Sequence, residues 1–117
     1  MVPESESMLE ANKIIRTWKG WTTKENAPVY ENMLINEIFP AVKKSGVAGL
    51  EKVSISIKQN PEDVEFLLIL QFDCLESVKT FAGENFQMAY IPDAARGVLL
   101  RYEETAEHYR LRKELIL

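Results

Sequence analysis

From residue 12 onward the chain moves between two hydrophobic periods. Asn12 to Trp21 reads with a period of two, with Ile15, Thr17, Lys19 and Trp21 on one face and Ile14, Arg16 and Trp18 on the other. Large side chains on both faces predict a strand covered on both sides. Thr22-Thr23-Lys24-Glu25 has the spacing of a capping box, and Pro28 suits the first turn of a helix that begins near it or later. Tyr30, Met33, Leu34, Glu37, Ile38 and Ala41 then recur in steps of three and four, as an inward helical stripe does. Pro40 removes a backbone donor and predicts a break or kink near Phe39. Lys43, Lys44 and Gly46 mark the helix end, cations at the negative pole followed by a residue free to take positive φ.

Leu50 to Gln59 returns to alternation, with Val53, Ile55 and Ile57 against Ser54, Ser56 and Lys58. The turn residues Asn60-Pro61-Glu62-Asp63 join it to a third strand, Val64 to Phe72, as an antiparallel hairpin. Phe66-Leu67-Leu68-Ile69-Leu70 is continuously apolar, whereas a strand with one wet face alternates. The helices of a small domain cover one face of its sheet, so a second copy of the chain is the expected cover for the other. Asp73 and Glu76 predict a capped helix with Leu75, Val78, Phe81 and Ala82 inward and Gly83 at its end. Glu84 to Tyr90 reads as a short helical piece. Gly97 to Tyr102 reads as a fourth strand, apolar on both faces at Val98-Leu99-Leu100, and Glu107 to Leu111 as a short last strand. The final Leu115-Ile116-Leu117 either packs across a subunit boundary or frays. The order β-α-β-β-α-β plus a tail strand is the split βαβ, ferredoxin-like arrangement of an α+β protein with an antiparallel sheet.

Composition narrows the setting. A chain of 117 residues fits one domain, here 12–117, after a polar, aperiodic stretch over 1–11 that reads as a disordered tail. No apolar run approaches the ~18 residues of a membrane span, and the opening residues lack the basic and apolar regions of a signal peptide. Cys74 is the one cysteine, which fits a reducing, cytoplasmic compartment. A net charge of -4 has the wrong sign for a nucleic-acid partner. One histidine and one cysteine leave little for a soft metal site, and no glycine-rich phosphate cradle is present, so neither metal nor cofactor is expected.

Leu70-Gln71-Phe72-Asp73-Cys74-Leu75-Glu76-Ser77-Val78-Lys79-Thr80-Phe81-Ala82-Gly83, taken with this layout, resembles the antibiotic biosynthesis monooxygenase-like domains of the dimeric α+β barrel superfamily. The stretch Tyr102-Glu103-Glu104-Thr105-Ala106-Glu107-His108-Tyr109 is similar to one bacterial branch of that family, and the resemblance covers roughly residues 12 to 111. It implies a homodimer whose two sheets face each other as a closed barrel with helices outside. It also implies an aromatic substrate, a quinol or anthrone, held between sheet and helices. Oxidation then needs no metal or flavin, because an electron-rich phenolate itself reduces oxygen. Tryptophan, tyrosine, asparagine and arginine are typical pocket residues of the family. This chain departs from the pattern at Phe72, where tryptophan is common, and at Met88 and Tyr90, where the haem-degrading branch needs a histidine.

His108 is the only side chain whose ordinary pKa lies near neutrality. It is the candidate catalytic base, against a structural role at a strand edge or dimer interface. Trp18, Tyr30, Met33 and Phe72 are the candidate substrate-binding residues, with core or interface packing as the competing role. Arg16 shares the Trp18 face, and a covered arginine needs a carboxylate or an anionic ligand; an ion pair with one of the glutamates is the expected arrangement. Cys74 reads as packing, and Glu103, Glu104 and Glu107 as a solvated acidic edge. The function that follows is a cofactor-independent monooxygenase acting on a small aromatic compound. The alternative is a non-catalytic homodimeric barrel that binds a small ligand or serves in stress. An RNA-binding module on the same scaffold is disfavoured, since Phe66 to Leu70 has no basic neighbours.

Overall fold

The computed structural model describes residues 13–117, so the tail expected over 1–11 lies outside the described residues, as does the expected strand start at Asn12. Strand β1 (Ile14–Thr22) leads into α1 (Ala27–Met33), a π-helical segment (Leu34–Ile38) and α2 (Phe39–Lys44). The hairpin β2 (Leu50–Gln59) and β3 (Val64–Phe72) follows, then α3 (Leu75–Ala82), α4 (Asp93–Arg96), β4 (Arg101–Tyr102) and β5 (Glu107–Arg110). The sheet order is β2-β3-β1-β4, with β5 also on β1, and every pairing is antiparallel. This is the ferredoxin-like α+β fold expected from the pattern.

β1 is the central strand. In register it sets Arg16 opposite Leu70 and Trp18 opposite Leu68 on β3, and Arg16 opposite His108 on β5. Arg16, Trp18, Gly20 and Thr22 are buried, as are Val64, Phe66, Leu68, Leu70 and Phe72, and together they form the face that the helices cover. The pleat keeps its period of two even through Phe66 to Leu70: Leu67 and Ile69 point to the opposite face and are half-buried.

Several local expectations are corrected. The helix does not end at Pro40, but its regular α-helical winding is interrupted just before it, over Leu34–Ile38. The π-helical segment widens the turn before it, which relieves the clash of the proline ring with the carbonyl four residues back. The inward positions consequently run Tyr30, Leu34, Ile38 and Val42 in steps of four, and the expected Glu37 and Ala41 are exposed. The capping box at Thr22 does not form, because Thr22 still belongs to β1; Thr23 Oγ1 accepts the Asn26 N–H at 3.0 Å instead. Asp73 lies one residue too early to cap α3 and accepts the Ser77 hydroxyl, while Leu75 stands exposed. Gly83 ends α3 at φ 91° as expected. Finally, Glu84 to Tyr90 is not helical, and most of Gly97 to Tyr102 is not strand. Pro92 opens α4 instead, the N–H groups of Val98 and Leu99 both bond to the Ala95 carbonyl, and only Arg101 and Tyr102 pair with β1.

Candidate functional site

Two side chains of β1 define a cleft between the sheet and the helices. Trp18 lies over Gly20, where a methyl group would come within 2.6 Å of the indole ring. Its Nε1–H donates to the Glu103 carbonyl at 2.7 Å. That carbonyl is available because the sheet edge is interrupted between β4 and β5, where the Glu103 carboxylate takes the Lys19 N–H at 2.9 Å. The indole is thus fixed at both ends.

Arg16 is 3% exposed. Its Nη1 donates to the Phe86 carbonyl at 2.6 Å and to His108 Nε2 at 2.9 Å, and its Nη2 donates to the Met88 carbonyl at 3.1 Å. The guanidinium also sits 5.4 Å from the centre of the Phe81 ring, within cation–π range. Burial pushes its pKa down to about 10, so it remains charged at neutral pH. The expected glutamate partner is absent: among the described residues no carboxylate forms an ion pair with Arg16. Arginine only donates, so His108 Nε2 must accept and the neutral ring carries its proton on Nδ1. Burial, and then the Arg16 charge, push the His108 pKa below its usual value, which keeps that acceptor in place.

The cleft holds a cavity of about 40 Å³. Arg16 and Trp18 of β1, Leu68 and Leu70 of β3, and Tyr30 and Leu34 at the start of the helical layer form its walls. Phe81 of α3 and the loop residues Tyr90 and Pro92 close it. Tyr30 packs edge-on against Phe66 at 4.8 Å, and burial holds its phenol neutral well above the usual range. Tyr90 is 49% exposed and meets Phe81 edge-on at 5.2 Å, which places it at the mouth. The walls are therefore apolar and aromatic, with one buried cation set among them.

Of the five expected site residues, Trp18 and Tyr30 border this cavity and the other three do not. Phe72 is fully buried one layer behind, against Phe81 at 5.6 Å. Met33 packs on the core beside the cleft. His108 stands behind the guanidinium with its lone pair engaged and its ring edge-on to Phe86 at 5.2 Å. Sequence reasoning missed Phe81 and Tyr90 as wall residues. Phe81 was readable only as an inward helix position, and Tyr90 belongs to a loop with no periodic signal. No group of three or more His, Cys, Asp or Glu side chains able to hold a metal occurs among the described residues. None of the described helices is long and apolar enough to cross a membrane.

Solved structures with this fold include a Bacillus cereus protein provisionally assigned as an antibiotic biosynthesis monooxygenase. It matches with a TM-score of 0.60 at 13% identity, over 91% of this chain and 99% of its own. A conserved protein from Methanosarcina mazei Go1 matches with a TM-score of 0.62 at 15% identity, over 88% and 96%. A dimeric ferredoxin-like protein from an uncultured marine organism matches with a TM-score of 0.54 at 11% identity, over 98% and 99%. No protein-family model and no curated protein matches the chain. The class is thereby defined as a ferredoxin-like α+β fold. At these identities the likeness is one of fold.

Proposed function

We propose that the chain is a cytoplasmic homodimeric monooxygenase that needs no cofactor and oxidises a small aromatic compound of the quinol or phenol type. The observation that carries this reading is the cleft itself, apolar and aromatic on its walls, with the Arg16 cation set into one of them. A cation in a low-dielectric wall favours the ionised form of a phenol beside it. The phenolate is the electron donor to oxygen. One oxygen atom enters the substrate carbon and the other leaves as water with two substrate hydrogens. Trp18 and Tyr30 stack the ring. His108 acts through Arg16, which it holds in place; service as the base itself would require it to release that hydrogen bond.

A homodimer formed through the open face of the sheet fits the same reading, since Ile15, Trp21, Leu67 and Ile69 are half-buried there and none of the described helices lies over them. A ring needs more room than 40 Å³; benzene occupies a cavity of ~150 Å³. Tyr90 at the mouth is the side chain that has to swing out. The test is oxygen uptake with a panel of quinols and anthrones. Turnover above buffer is expected, falling by ~10²-fold or more in Trp18→Ala with the dimer intact. Substrates that bind without any oxygen uptake would make the chain a binding protein and end the oxygenase reading.

A further inference from the structure

We infer that the ligand carries a carboxylate: the cleft is shaped to receive a small apolar acid whose charged group pairs with Arg16. This rests on the reading of the cleft as the ligand site and sets a carboxylate, in place of the phenolate, against Arg16.

The chain has 18 Asp and Glu residues, yet among the described residues none reaches Arg16. Its three hydrogen-bond partners, two carbonyls and a neutral imidazole, satisfy donors without supplying negative charge. A buried charge with no counter-charge is costly, and an anionic group on a ligand is the simplest compensation. A guanidinium has five N–H donors. The recorded bonds leave the Nε–H and one Nη2–H with no partner among the described residues. Nε and Nη2 flank one edge of the guanidinium plane, and such an edge pairs with both oxygens of a carboxylate.

The walls decide what else the ligand is. Apart from the Tyr30 and Tyr90 hydroxyls the walls beside Arg16 are apolar, Trp18, Leu68, Leu70 and Phe81 among them, so they favour a charge attached to an apolar body over a bare inorganic anion. A free phenol is neutral at neutral pH, with a pKa of ~10, whereas a carboxylic acid is already ionised. The carboxylate therefore meets the cation at no cost of ionisation. His108 is a positioning residue in this arrangement, since its lone pair sets the guanidinium plane.

The test is calorimetry at neutral pH on the full-length protein with three ligands of one shape: 2-naphthoate, 2-naphthamide and 2-naphthol. Naphthoate is expected to bind at least ~10-fold tighter than the amide and the naphthol. In Arg16→Gln that preference should vanish, and Arg16→Lys should keep part of it. If Arg16→Gln fails to fold, the ratio in the unaltered protein decides alone. A smaller preference, a preference that survives in folded Arg16→Gln, tighter binding of naphthol, or no binding of any of the three would overturn the proposal. Oxygen uptake separates it from the oxygenase reading. Carboxylate selection without turnover of any aromatic substrate rejects the oxygenase and keeps this inference; quinol turnover without carboxylate selection does the reverse.

Discussion

The two faces of the sheet lie one residue apart in register and handle charge in opposite ways. On the helix-covered face, Phe66, Leu68, Leu70 and Trp18 are buried around a single cation, Arg16, whose partners are all uncharged. On the open face three cations have carboxylates: Lys19 lies 3.8 Å from Glu65, Lys13 lies 3.1 Å from Glu51, and Arg101 reaches Asp63 at 3.0 Å while lying over the Trp21 ring. Between these pairs runs a half-buried apolar strip, Ile15, Leu67 and Ile69, confined to the two central strands. The outer strand β2 turns Ser54, Ser56 and Lys58 to the same side. An apolar strip with paired charges at its margins has the anatomy of an interface between proteins. A lone cation in an apolar wall has that of a small-molecule site.

The sharpest way to break this comparison is one substitution placed on adjacent residues. Phe66→Glu puts an unpaired carboxylate into the helix-covered core, outside the cavity that Arg16 lines, and should unfold the protein, a loss above ~4 kcal/mol visible by circular dichroism. Leu67→Glu faces the other way. It should leave the protomer folded and abolish the proposed dimer, giving a monomer by light scattering. If both variants unfold, or both remain dimers, the two faces do not have separate roles.

Arg16→Gln comes next. It strips a partner from the Phe86 and Met88 carbonyls, and an acceptor left alone costs ~1–3 kcal/mol where water cannot reach it. A lowered melting temperature is expected, together with faster hydrogen exchange in the Glu84–Pro92 loop. An unchanged melt would mean that Arg16 serves the ligand alone.

Acid should act on the covered face first. His108 is held below its ordinary 6.5 by burial and then by Arg16, its cationic neighbour across from β5; the Phe86 ring edge adds no charge. Above 6.5 both folded and unfolded chains carry it neutral, and its contribution is fully present. As the pH falls below 6.5 the unfolded chain takes up a proton that the fold resists, so stability declines. Carboxylates such as Asp73, held below 3.8 chiefly by the Ser77 hydroxyl, contribute a separate loss at lower pH. Denaturant melts against pH should show the upper limb, and His108→Gln should flatten it. A limb that persists in that variant belongs to another group.

The smallest effect belongs to the open face. Lys19→Ala removes an ion pair whose lysine is 43% exposed, and a change within ~0–1 kcal/mol is expected in the protomer. A larger loss that depends on protein concentration would place Lys19 inside the dimer contact.

The strands β1, β2 and β3, the helix ending at Gly83 and the ferredoxin-like order were legible in the sequence. Their information is local: a period of two, a period near four, and turn residues between them. Trp18 and Tyr30 were legible as wall residues for the same reason, since each lies on an inward face. The π-helical segment was not, because it answers the clash at Pro40 by moving the inward face one residue along, a choice made against the core. The short α4 in place of most of a fourth strand was not either, because Val98 and Leu99 suit a strand or a turn equally well by pattern alone. Above all, Arg16 could be read as covered but not as lacking a counter-charge. Its hydrogen-bond acceptors, Phe86 and His108, come from 70 and 92 residues further along the chain. Which side chains reach a buried cation is decided when distant segments pack, and no periodicity along the chain records it.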